Sequence, residues 1–149
     1  GRLALGVDYA SGEDWYDTDE IKNYNNLYYT GHKFRGHMDY FLASNTEGLM
    51  DLMFRGSLNP AEGWVVATDV HYFKTAKDYR DPLEDVYTSD IGIEIDASVT
   101  TTRIKGITFD TGVSMFLPEE SFVRINPGNS RLTESDPTFW VYNQATVNF

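Results

Sequence analysis

The chain has 149 residues, no cysteine, and 12 Lys and Arg against 23 Asp and Glu, for a formal charge of −11. That acidity excludes nucleic acid as a partner, because neutralising phosphates needs a basic surface. The lack of thiols excludes disulfides, thiolate metal sites and a cysteine nucleophile. No apolar run reaches the ~20 residues of a membrane helix, but alternating transmembrane strands have the mean hydropathy of a soluble protein.

Residues 2–9 alternate from the start, with Leu3, Leu5, Val7 and Tyr9 on one face and Arg2, Ala4, Gly6 and Asp8 on the other. No basic lead, apolar stretch or small-residue cleavage site comes first, so the expectation is a chain that begins partway along a longer one. A second strand is expected at about 48–58, with Met50, Leu52, Phe54 and Leu58 opposite Asp51, Arg55 and Ser57. A third at about 63–74 sets Trp64, Val66, Val70 and Tyr72 against Asp69 and His71. The fourth, 90–102, turns Ile91, Ile93, Ile95, Ala97 and Val99 away from Glu94, Asp96, Ser98 and Thr100. The fifth, about 104–117, opposes Ile107, Phe109, Val113, Met115 and Leu117 to Thr108, Asp110 and Ser114. The last, 138–149, carries Phe139, Val141, Ala145, Val147 and Phe149 on one side and Trp140, Tyr142, Gln144, Thr146 and Asn148 on the other. Period-2 alternation of this kind marks strands with one apolar and one wet face.

These segments approach the ~9–11 residues with which a tilted strand crosses a bilayer; soluble strands average nearer ~5–6. The connections alternate between long (10–47, 75–89, 118–137) and short (59–62, and Arg103 alone). Outer-membrane barrels have this rhythm, with short periplasmic turns and long extracellular loops. The fold class expected is therefore an all-β, antiparallel transmembrane β-barrel, with residues 1–149 a single barrel segment and the three long connections extracellular. Tyr9, Tyr72 and Phe139 then fall at the outer ends of lipid-facing strands, and Trp64 and Phe149 at the inner ends. From Trp64 to Tyr72 is about 26 Å of strand, or about 20 Å of depth at a tilt of roughly 40°, near the ~25 Å band between aromatic girdles.

Phe149 closes an alternating strand, as in the signal that delivers barrels to the outer-membrane assembly machinery, which makes that machinery an expected partner beside outer-membrane lipid and lipopolysaccharide. Six strands are fewer than the ~8 of the smallest single-chain barrels. The expectation is a C-terminal part of a larger barrel; assembly from several copies, or strands hidden in the loops with residues 36–43 the best place, are the other possibilities.

Several stretches resemble the alginate-export family of outer-membrane porins. They are Gly6-Val7-Asp8-Tyr9-Ala10-Ser11-Gly12, Thr30-Gly31-His32-Lys33-Phe34-Arg35-Gly36-His37-Met38-Asp39 with the preceding Leu27-Tyr28-Tyr29, Gly48-Leu49-Met50-Asp51-Leu52, Asp69-Val70-His71-Tyr72-Phe73 and Gly92-Ile93-Glu94-Ile95-Asp96. The Thr30–Asp39 stretch is the most specific, and the order spans nearly the whole chain. The resemblance implies a monomeric barrel of roughly 18 strands that passes anionic polysaccharide or other solutes. A polyanion conduit should have a basic lumen. The lumen-lining charges read here are Asp8, Asp51, Asp69, Glu94, Asp96 and Asp110 against Arg2 and Arg55, with His71 among them.

Those carboxylates read as a cation-attracting lining or as solvated wall residues paired across the barrel. Glu94 and Asp96, i and i+2 on one face at ~7 Å, also have the spacing of a glycosidase acid–base pair; such pairs are common on wet strands, and no enzyme is expected. His32, His37 and His71 lack a metal-binding spacing. The run 13–20 is rich in oxygen donors, with Asp14, Asp17 and Asp19 the weak candidates for calcium, but lacks EF-hand glycine spacing; a solvated acidic loop is the simpler reading, and no cofactor is expected. The function expected is passive passage of small solutes or saccharides across the bacterial outer membrane. Two alternatives stand beside it. One is a soluble or surface β-sandwich binding carbohydrate on Trp15, Trp64 or Trp140; the other is a structural barrel in an envelope assembly.

Overall fold

Alternation along the chain becomes one antiparallel sheet of six strands. These are β1 (Arg2–Ala10), β2 (Leu49–Leu58), β3 (Trp64–Arg80), β4 (Tyr87–Ile104), β5 (Ile107–Pro118) and β6 (Thr138–Val147), hydrogen-bonded in sequence order from β1 to β6. The computed structural model describes residues 1–14, 21, 22, 24, 34–41, 46–80, 85–119, 122 and 136–149.

The register fixes two faces. Asp8 pairs with Asp51 and Ala4 with Arg55, Arg55 with Asp69, Asp69 with Asp96 and His71 with Glu94, Asp96 with Ser114, and Gly112 with Tyr142. Directly paired residues point the same way, so all these side chains share a polar face. The opposite face is apolar and uncovered: Leu5 is 85% exposed, Val141 64% and Phe139 68%, and Phe54, Val99 and Val113 are also bare.

The chain's apolar core lies on the polar side. Ala10, Phe41, Leu49, Phe73, Ile91, Phe116 and Phe122 form it, at the end of the sheet that carries the long connections. Phe41 belongs to residues 34–41, a strap laid across the polar face, and its ring sits 4.2 Å from Phe73. Burying Phe or Leu side chains here stabilises the strap by about 1.5–3 kcal/mol each.

Four sequence-based expectations are corrected. The connection 75–89 is mostly strand: β3 and β4 continue until Arg80 pairs with Tyr87, which shortens the loop to the residues between. Ile91 does not join Ile93 and Ile95 on the apolar face; it is fully buried in the core. Both errors share a cause, a bulge where Phe73 pairs with Gly92 but Lys74 with Asp90. One extra residue on β4 reverses the alternation, so period 2 stops marking the strand there. The turn between β4 and β5 falls at Lys105 and Gly106, beyond Arg103, since Ile104 pairs with Ile107; Gly106 has φ 77°, which glycine adopts without strain. Finally, the described part of 36–43, residues 36–41, forms turns and no strand.

Candidate functional site

The polar face is a wall of carboxylates. All nine residues expected to line a lumen — Arg2, Asp8, Asp51, Arg55, Asp69, His71, Glu94, Asp96 and Asp110 — lie on it by register. Tyr9, Trp64, Tyr72 and Phe139 lie on the apolar face, and Phe149 is fully exposed beyond β6.

At the lower end, near the short turns, the wall is open. Arg55 Nε is 3.3 Å from Asp69 Oδ2, and a groove of about 310 Å³ runs beside Arg2, Arg55 and Asp69. Asp110 accepts hydrogen bonds from Thr100 Oγ1 at 3.0 Å and Tyr142 Oη at 3.1 Å. Trp140 stacks on Tyr142 at 5.0 Å between ring centroids, on the polar face.

At the upper end the strap covers the wall from β1 to β6. The Arg35 side chain, 2% exposed, donates from Nε to Asp8 Oδ2 at 3.0 Å and from Nη1 to the Phe41 carbonyl at 3.3 Å. The Met38 N–H donates to Glu94 Oε1 at 2.9 Å. Tyr40 Oη and Thr138 Oγ1 are 2.9 Å apart. Gly36 (φ 81°) and Asp39 (φ 61°) give the strap its tight path. A side chain at Gly36 would strike the Glu94 carboxylate, so glycine lets the backbone lie on the wall.

Beneath the strap, His71 Nδ1 lies 2.7 Å from Asp51 Oδ2, and His71 Nε2 lies 4.0 Å from Asp96 Oδ2. His37 reaches Asp96 from the strap, its Nδ1 3.9 Å from Oδ1. The inward fold thus brings His37 and His71 to two sides of one carboxylate. His32 lies outside the described residues, as do Trp15, Asp17 and Asp19; Asp14 pairs with Lys77 at 3.2 Å. Among the described residues, no group of three or more His, Cys, Asp or Glu has the geometry for a metal ion. Glu94 and Asp96 share a face but are buried, so the spacing that suggested an acid–base pair is closed to a sugar in this conformation.

Asp51 Oδ1, Glu94 Oε2, both Asp96 oxygens and Ser114 Oγ are buried without a hydrogen-bond partner among the described residues. A buried carboxylate is costly unless it is paired or takes up a proton. The sequence reading missed Arg35 as a component of the wall. Its signal was present, since Arg35 and Gly36 fall in the stretch that carried the most specific resemblance.

No protein-family model, curated protein or solved structure matches the chain. Chemically, the arrangement is a carboxylate-lined face, covered by the strap at its upper end.

Proposed function

We propose that this chain is wall of a bacterial outer-membrane β-barrel of the porin kind, resembling the alginate-export family, and that it passes small solutes passively. The observation that carries the reading is the inverted sheet, with its apolar face bare and its carboxylate face covered. A bare apolar face of this extent is far beyond the few hundred Å² that soluble monomers leave exposed. In lipid it needs no cover, whereas a carboxylate turned toward the bilayer centre costs about 2.5–3.5 kcal/mol. A barrel satisfies both faces at once, with lipid outside and water inside.

The free edges of β1 and β6 would each leave backbone groups unsatisfied in hydrocarbon, at several kcal/mol per group. Further strands must therefore close the barrel, in keeping with the roughly 18 strands that the resemblance implies. Acidic residues on the wall favour cations and neutral solutes over a polyanion such as alginate. The aromatics Tyr9, Trp64, Tyr72 and Phe139 meet the headgroups, and the long connections meet lipopolysaccharide. A carbohydrate-binding sandwich needs a second sheet over the apolar face, and the described residues supply none.

Cell fractionation tests the reading, followed by planar-bilayer recording under a KCl gradient. Recovery in the outer membrane, extraction only with detergent and a cation-selective reversal potential are expected. A protein that stays in aqueous solution without detergent would overturn it.

A further inference from the structure

Two carboxyls of β4 lie directly beneath the strap. Glu94 and Asp96 are 0% and 1% exposed, and their side chains are within hydrogen-bonding reach of one another. The Met38 N–H donates to Glu94 Oε1 at 2.9 Å, and the His37 N–H also faces that carboxylate. The strap backbone at Gly36 rests on the same group. Glu94 Oε2 and both Asp96 oxygens nevertheless lack a hydrogen-bond donor among the described residues. An ionised carboxylate only accepts, so two of them in contact satisfy neither until one carries a proton.

The groups facing this pair do not neutralise it. From β3, His71 lies opposite Glu94, but its Nδ1 is engaged by Asp51 of β2 and its Nε2 is 4.0 Å from Asp96. Asp69, opposite Asp96 on β3, adds a negative charge and faces Arg55. From the strap, His37 Nδ1 stands 3.9 Å from Asp96, beyond hydrogen-bonding distance, and Arg35 bonds Asp8 on β1. On β5 the opposing residues are Phe116 and Ser114, and on β6 Tyr142 gives its hydroxyl to Asp110. Two buried carboxylates in contact cannot both stay ionised without a bonded cation.

We propose that Glu94 and Asp96 hold one proton between them as an acid–carboxylate pair, and that this proton latches the strap shut. One carboxyl donates its O–H to the other, so an orphaned oxygen gains a partner and one negative charge leaves the site. When the strap lifts, water reaches both groups. Each then ionises above its ordinary value of about 3.9 or 4.3, and the proton passes to solvent. Opening thus releases one proton, so rising pH favours it by up to about tenfold per pH unit. The latch stands apart from the channel reading and is read without any current.

Infrared spectroscopy of the full protein in detergent at neutral pH reads the proton, and limited proteolysis within residues 34–41 reads the strap. The wild type should show the carbonyl band of a protonated carboxylic acid, shifted by deuterium. Glu94→Gln and Asp96→Asn should each remove that same band, because an amide N–H donates in the proton's place and leaves the other carboxylate ionised. Cleavage is normalised at each pH to that of an unstructured peptide with the sequence of residues 34–41. It should rise by up to about tenfold per pH unit in the wild type. In Glu94→Gln, whose amide keeps an acceptor for the Met38 N–H and cannot ionise, it should stay level. The wild-type band needs no variant, so a substitution that prevents folding still leaves the proton open to disproof. No such band in the wild type, or a band undiminished in either variant, would overturn the shared proton. Wild-type cleavage that ignores pH, or an equal rise in Glu94→Gln, would overturn the latch.

Discussion

His71 and Asp51 lie 2.7 Å apart, Nδ1 to Oδ2, with 1% and 0% of their side chains exposed. With the carboxylate accepting, the proton sits on Nδ1, which turns Nε2 toward Asp96 at 4.0 Å. One imidazole on β3 thus bonds the carboxylate of β2 and stands near that of β4 on the covered half of the wall. Removing it strands Asp51 as a buried charge, and breaking such a pair costs about 3–5 kcal/mol. His71→Ala should therefore lower the urea midpoint of the detergent-solubilised protein sharply. Asp51→Asn, which removes the charge along with the pairing, should lower it less. Equal midpoints for wild type and His71→Ala would show that the pair contributes nothing.

Gly36 offers a way to loosen the strap without substituting any residue of the sheet. Its φ of 81° is one that a residue with a Cβ adopts only under strain, at about 1–2 kcal/mol. The added methyl also meets a Glu94 carboxylate already fixed by the Met38 N–H. Gly36→Ala should raise the open population of residues 34–41 by roughly 5–30-fold. Limited proteolysis reads that population when closing is fast, so cleavage within the strap should accelerate while the strands stay resistant. An unchanged cleavage rate would mean the strap is not held by this contact.

How much of this was readable follows from the range of each interaction. The faces of all six strands were legible because alternation is local, and a residue such as Asp96 announces its side by its neighbours Ile95 and Ala97. Alternation fails where the backbone departs from period 2. At Ile91 and Gly92 the bulge reverses the faces, which hid both Ile91's burial and the continuation of β3 toward Arg80. The strap was illegible for another reason: Arg35 meets Asp8, Met38 meets Glu94 and Tyr40 meets Thr138 across 27, 56 and 98 positions. No periodicity within residues 34–41 encodes those partners.

Asp90 makes the upper hairpin acid-sensitive. It lies at the upper end of the sheet, where Tyr72 Oη donates to its Oδ1 at 2.6 Å and Lys74 Nζ lies 3.1 Å away. The Tyr72 hydrogen bond, with help from Lys74, holds its carboxyl below the usual carboxylate value. The unfolded chain therefore binds this proton more readily than the folded one. The stabilisation is complete above the unfolded pKa of about 3.9 and is lost as pH falls through the lower folded value. Hydrogen exchange around residues 74–79 and 87–90, expressed relative to the intrinsic rate of an unprotected amide at each pH, should quicken on acidification in the wild type. In Asp90→Asn it should be faster at neutral pH and respond less to acid. An acid response of the same size in both proteins would assign it to another group.

Val113 decides between lipid and water as the neighbour of the apolar face. It pairs with Ala97, which pairs with Thr68, midway between Trp64 and Tyr72. Arginine on a lipid-facing strand at that depth costs about 2–4 kcal/mol. The same substitution on a strand surface in water usually changes stability by less than about 0.5 kcal/mol. Ser98 provides the control at matched depth, since it pairs with Gly112 on the polar face. It borders a cavity of about 40 Å³ beside Asp69 and Asp96, where a guanidinium finds carboxylates to pair with. Val113→Arg should thus lower the folding free energy in lipid vesicles by about 2–4 kcal/mol, and Ser98→Arg by much less. Tolerance of Val113→Arg equal to that of Ser98→Arg would mean that the apolar face does not meet hydrocarbon, and the membrane reading of the sheet would fall with it.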